Sequence, residues 1–176
     1  MGLLIDLQPA AGAALVVGGG AVAARKVRNL AEAEFTITVV APAVLEEIRL
    51  TPFVTVIERE FQAGDIALGY GFAVVFACTE DREVNRLVGQ LARAAKVPVV
   101  VADAQEESTF FTPATLRDGD LAVAVSTGGA SPKLARQIRE RIVSALGPGW
   151  GQILQAARTE RQARRRARTD SEPADD

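Results

Sequence analysis

Along the first hundred residues, apolar β-branched runs alternate with segments whose apolar positions recur every three to four residues. That alternation predicts parallel strands joined by helices. Residues 13–17 (AALVV) form the first strand, and a helix over 21–33 follows three glycines. A second strand is predicted at 36–40 (TITVV), closed by Pro42, which cannot donate to a ladder. A short helix at 44–48 and a strand at 54–58 come next. Residues 72–78 (FAVVFAC) are continuously apolar, as expected of a strand buried on both faces. Over 81–96 the residues Val84, Leu87, Val88, Leu91 and Ala95 share one helical stripe. The run 97–102 (VPVVVA) is the next strand and ends at Asp103.

Beyond Asp103 the pattern changes. Residues 108–115 and 120–127 are predicted as strands separated by a turn at Arg117, Asp118 and Gly119. A long helix is expected from Ser131 and Pro132, a favoured N-cap followed by a residue pre-organised for the first helical position. Its apolar stripe is Leu134, Ile138, Ile142 and Leu146, and Gly147-Pro148-Gly149 stops it. A last helix runs from Trp150 to about Arg168, and the acidic end SEPADD is expected to be frayed or disordered. The fold class is therefore α/β: a Rossmann-like parallel-sheet domain at 1–107, a small β-plus-helix dimerisation segment at 108–146, and a C-terminal helix with its tail at 147–176. The middle segment is too small to bury a core of its own, so docking against a second copy, a homodimer, is expected.

The chain has 176 residues, is 48% hydrophobic and carries a net charge of −2, the composition of a soluble globular protein. No apolar run approaches the roughly 20 residues that span a bilayer, and the start MGLLIDLQPAAG lacks the basic and long apolar stretches of a signal peptide. No membrane partner and a cytoplasmic setting are expected. The arginines between Arg158 and Arg168 read as a solvated helix surface beside an acidic end, so no nucleic-acid partner is expected. A single cysteine, Cys78, excludes an internal disulfide and a cysteine metal cluster. The absence of histidine excludes a Ser-His-Asp triad, zinc–histidine sites and any histidine base. No resident metal is expected, and proton transfer falls to carboxylates, Lys, Tyr, Cys or water.

Gly18, Gly20 and Ala23 spell G-x-G-x-x-A after a strand and at the opening of a helix. There the first glycine permits a tight turn, the second a close approach of a pyrophosphate, and the small third residue tight helix–strand packing. Val40-Ala41-Pro42 at the second strand's end offers neither the usual ribose carboxylate nor a cation for a 2′-phosphate. The residues alone leave NAD and NADP open, although the missing cation mildly disfavours NADP. Tyr70, the single tyrosine, has Val74 four residues on, which excludes the Tyr–Lys pair of short-chain dehydrogenases. The turn alone equally permits a non-catalytic module that senses NAD(H). Asp103 closes a predicted parallel strand, where α/β sheets place ligands. On the residues alone it is a turn or cap aspartate as readily as a proton-handling group.

Taken in order, VVGGGAVAARKVRNL, TVVAP, ACTEDREVN, VVVADA, STFFTPA and AVSTGGASPKLARQIRERI resemble the precorrin-2 dehydrogenase module of siroheme synthases, over about 4–151. The resemblance implies NAD-dependent oxidation of precorrin-2 to sirohydrochlorin, with iron insertion by some relatives, and a homodimer built by the segment after Asp103. It implies that Gly18, Gly20, Ala21 and Val22 form the cofactor turn, with Val40 and Ala41 near the adenosine ribose and Thr79 and Glu80 facing the dinucleotide. Asp103 matches the family's essential aspartate. Ser126, Thr127, Gly128, Gly129, Ser131 and Pro132 match the loop facing the tetrapyrrole, whose eight carboxylates suit a helix N-terminus, and Lys133 is a further candidate there. Arg25, Lys26 and Arg136 are candidates for neutralising phosphate or carboxylate, or equally solvated cations. Glu34 stands where relatives carry glycine, so a different ending of the first helix is expected.

Overall fold

The computed structural model describes residues 2–66 and 71–169. Tyr70 and the acidic end SEPADD lie outside the described residues. The chain divides into two compact units, Met1–Phe111 and Thr112–Asp176.

The first unit is built on five parallel strands, β1 (Ala13–Val17), β2 (Ile37–Val40), β3 (Val54–Ile57), β4 (Phe72–Ala77) and β5 (Val99–Val101), in the order β3-β2-β1-β4-β5. The helices α1 (Ala21–Ala31), α2 (Glu46–Arg49) and α3 (Arg82–Ala94) connect them. Alternate residues of each central strand point to opposite faces. Ala14 and Val16 therefore pack with Ala23, Val27 and Ile48 from α1 and α2. Leu15 and Val17 pack instead with Val88 and Ala92 from α3. Both faces of β1 are fully buried, which is why its sequence is continuously apolar. The sheet is thus doubly wound, and its strand order reverses between β1 and β4.

Glu34 does not change the ending of α1 as expected; the left-handed cap persists without glycine. Glu34 adopts φ 60°. Its N–H donates to Ala31 O (2.9 Å) and that of Phe35 to Leu30 O (3.0 Å), the bonding pattern of a Schellman cap. Lys96 (φ 59°) ends α3 in the same way, with Val97 N–H donating to Ala92 O at 2.9 Å. In both places the residue after the cap is apolar and tucks back onto the helix, Phe35 being buried, and that contact outweighs the strain of a side chain at positive φ.

The strand expected over 108–115 begins later. Ser108 and Thr109 serve β5 instead: Thr109 N–H donates to Val99 O (2.8 Å), Thr109 Oγ1 accepts from Val99 N–H (2.8 Å), and Ser108 Oγ accepts from Val101 N–H (2.9 Å). Side chains thereby close the sheet edge. In the second unit β6 (Ala114–Asp118) pairs antiparallel with β7 (Leu121–Val125). Arg117 and Asp118 belong to β6, opposite Ala122 and Leu121, so the reversal falls at Gly119 (φ 56°) and Asp120 and not at Arg117 to Gly119. Helix α4 (Pro132–Leu146) follows, and α5 (Trp150–Thr169) begins after Gly147 and Gly149, both at positive φ. Of the second unit's described apolar residues only Ala135 is buried.

Candidate active site

In a doubly wound sheet, ligands bind outside the carboxyl ends of the strands where the order reverses. Here that edge is tied across by backbone bonds: Gly18 N–H to Val40 O (3.0 Å), Cys78 N–H to Val17 O (2.8 Å) and Ala102 N–H to Ala77 O (2.9 Å). The ends of β2, β1, β4 and β5 are thus side by side, and with them Ala41, Gly18, Thr79 and Asp103.

The three glycines divide the work of the turn. Gly18 has φ 122°, and a Cβ there would lie 2.4 Å from Cys78 O. At Gly19 a Cβ would lie 2.0 Å from Ala43 O, while its own carbonyl accepts from Leu45 N–H at 2.9 Å. The sequence pattern left Gly19 out, yet of the three it is the one pressed hardest by the protein. Gly20 is different: a Cβ there would meet no protein atom within 4 Å. It is the N-cap of α1 and supplies no side-chain cap, and the first intrahelical bond is Ala24 N–H to Gly20 O (3.0 Å). The amides of Ala21, Val22 and Ala23 therefore open outward at the positive end of the helix. Ala23 is fully buried against the sheet, and Val22 is exposed. This is a turn whose first two glycines satisfy the fold and whose third leaves room for an anion such as a pyrophosphate.

Val40 and Ala41 are buried, so at this end of β2 it is their backbone and not their side chains that a ligand could meet. After the neighbouring strand, Arg59 is held in a bidentate pair by Asp65 (2.8 and 2.6 Å), which keeps the Asp65 carboxyl below its ordinary range. Thr79 is bound into the β4–α3 turn. Its N–H donates to Asn85 Oδ1 (2.9 Å), its carbonyl accepts from Asn85 Nδ2 (2.9 Å), and its hydroxyl donates to Asp81 O (2.9 Å). Asn85 is fully buried and has a structural role: it satisfies that turn, which sets where Thr79 and the exposed Glu80 sit. Asp81 caps α3 by accepting from Glu83 and Val84 N–H.

Beside β4, Lys26 of α1 places Nζ 5.3 Å from the Phe76 ring centroid, a cation–π contact. Burial lowers its pKa, opposed by Cys78 and reinforced by Arg25. The Cys78 thiol is pushed up to about 11 by burial, against the pull of Lys26 and Arg25 and with a push from Asp103. Cys78 is thus a protonated core residue at neutral pH, not a nucleophile. Sequence reasoning missed one neighbour of Asp103, Arg82, whose Nε lies 3.9 Å from Asp103 Oδ2. The available signal was a cation in the first turn of a helix, the unfavourable end of its dipole.

The loop 126–133 forms its own arrangement in the second unit. Ser126 Oγ accepts from Gly128 N–H (3.2 Å), Thr127 Oγ1 from Ser131 N–H (3.1 Å) and Ser131 Oγ from Leu134 N–H (3.2 Å). Gly128 and Gly129 both have positive φ. Because Ser131 caps α4 and Pro132 has no N–H, the α4 terminus is far more closed than that of α1. Acting as acceptors, the three hydroxyls keep their protons available to a carboxylate. Lys133 is exposed beside them.

A doubly wound parallel sheet with an uncapped, glycine-opened helix at its reversal point defines a dinucleotide-binding domain. A family model described as putative NAD(P)-binding matches residues 5–114, and one described as sirohaem biosynthesis protein central matches 118–145. The chain belongs to the putative NAD(P)-binding family and carries the sirohaem-biosynthesis segment directly after it. It is 39% identical over 157 residues to a siroheme synthase of Nitrosomonas europaea, covering 86% of this chain and 32% of that protein. A siroheme synthase of Methylococcus capsulatus is 38% identical, with 87% and 32% covered. The chain thus spans about a third of the length of these curated relatives. Among solved structures, the precorrin-2 dehydrogenase SirC superposes with a TM-score of 0.68 at 28% identity, over 88% of this chain and 75% of that one.

Proposed function

We propose that this chain oxidises precorrin-2 to sirohydrochlorin, with NAD⁺ as hydride acceptor. The observation that carries the reading is the open turn at Gly20 on the same sheet edge as Asp103. The relatives' names supply the substrate. In this reading the amides of Ala21, Val22 and Ala23 bind the pyrophosphate, and Val40 and Ala41 bound the ribose with backbone. When bound, the nicotinamide supplies the two-electron acceptor. Precorrin-2 gives up one hydride and one proton, and Asp103 takes or orients that proton at a pyrrole nitrogen or ring carbon. No histidine competes for the role. The loop 126–133 and Lys133 would receive the macrocycle's carboxylates by hydroxyl donation and charge.

NAD is favoured over NADP because the tip of β2 is Val40-Ala41-Pro42 and Arg59 is already engaged by Asp65. Ferrous iron insertion into the product would use the same Asp103 as proton acceptor, and iron uptake by sirohydrochlorin above the spontaneous rate tests it. The second unit is proposed to be covered by a second copy, because Leu134, Ile138, Val143 and Leu146 of α4 are each at least a third exposed. Steady-state turnover with precorrin-2 and each dinucleotide tests the whole reading. Faster turnover with NAD⁺ than with NADP⁺ is expected. Binding of NAD⁺ without any turnover would leave a sensing module in place of an enzyme.

A further inference from the structure

Asp103 is followed by a 3₁₀ turn, Gln105–Glu107. Two arginines of α3 grip that turn: Arg82 hydrogen-bonds the Glu107 carboxylate, and Arg93 Nη1 donates to Glu107 O at 2.5 Å. The bond to Glu107 raises Arg82 above its ordinary pKa, although a guanidinium is charged at neutral pH without it. Arg82 is shared: its Nη2 meets Glu107, and its Nε lies 3.9 Å from Asp103 Oδ2. Two atoms of the clasp, Arg82 Nη1 and Glu107 Oε2, are buried without a hydrogen-bond partner. A cation at the N-terminal turn of α3 works against the helix dipole, and the carboxylates of Glu107 and Asp103 are what face it there.

We infer that Arg82 is a positioning residue for Asp103. Glu107 fixes the Nη2 side of the planar guanidinium, and the Nε edge then faces the Asp103 carboxylate and holds it toward the carboxyl edge of the sheet. A fork bridging two carboxylates does this; a point charge does it only in part. The inference rests on Asp103 acting upon the substrate as proposed above.

The test uses the full chain with precorrin-2 and NAD⁺. Arg82→Gln is expected to lower kcat about tenfold or more, because a misplaced reacting group is costly. Its melting temperature and its calorimetric affinity for NAD⁺ stay near those of the wild type, the ion pair being part-exposed. Arg82→Lys retains an intermediate kcat. In an Asp103→Asn background, Arg82→Gln causes no further loss, because the two act as one unit. A wild-type kcat in Arg82→Gln, or the same fractional loss with and without Asp103, overturns the inference. A wild type that forms no NADH overturns the proposed activity, and this inference with it, so the two failures are distinguishable.

Discussion

The two units solve the same burial problem to different degrees. In the first, β1 is sealed between two helical layers, and nearly every described buried apolar side chain of the protein lies there. In the second, a two-stranded ribbon and two helices leave Leu134, Ile138, Trp150 and Ile153 each more than a third exposed. The helix starts differ in the opposite sense. The well-buried unit leaves α1 uncapped at Gly20, while the poorly buried one closes α4 with Ser131 and Thr127. A well-packed core can hold a helix end without a side-chain cap; the unit short of core closes its helix start and leaves apolar side chains exposed.

The sharpest way to break this comparison is inside the first unit. Gly19→Ala drives a Cβ into Ala43 O and is expected to cost at least about 3 kcal/mol, since overpacking against backbone cannot relax through a rotamer. Thermal or denaturant unfolding checks it. Next in size, Ile138→Asp in the second unit is expected to give a monomer by size-exclusion light scattering, losing about 2 kcal/mol of burial per copy, with NAD⁺ binding retained. A dimer of undiminished stability would show that this face is not the covered one.

Gly20→Ala sharpens the contrast with Gly19. The added methyl meets open space in the protein, so the melting temperature should hold. The dinucleotide Kd should rise roughly tenfold, about 1.4 kcal/mol, read by calorimetry. The smallest effect is at the helix ends. Glu34→Gly and Lys96→Gly relieve positive φ and should each stabilise by about 0.5 kcal/mol, the left-handed strain less the added freedom of the unfolded chain.

The strands of the first unit were legible because burial on both faces writes an uninterrupted apolar run, as in FAVVFAC. Gly18 and Gly20 were legible because the turn's geometry restricts residue type. Gly19 was not, since its constraint comes from Ala43, far along the chain. The role of 108–113 was misread as strand because Ser108 and Thr109 also suit an extended ladder, and only the exposed edge of β5 converts them to side-chain acceptors. Glu34 misled for a related reason: the apolar anchor Phe35, rather than glycine, fixes the cap. Arg82 was visible as an oddity of placement but meaningless without Glu107, 25 positions later.

The central claim is that the open glycine turn and Asp103 serve one reaction on one sheet edge. The most direct test measures NADH formed per precorrin-2 consumed, at saturating NAD⁺, by the wild type and by Asp103→Asn. One NADH per macrocycle from the wild type is expected, with a rate at least about a hundredfold lower in the variant. An Asp103→Asn enzyme that oxidises precorrin-2 at the wild-type rate, or a wild type that yields no NADH, would contradict it.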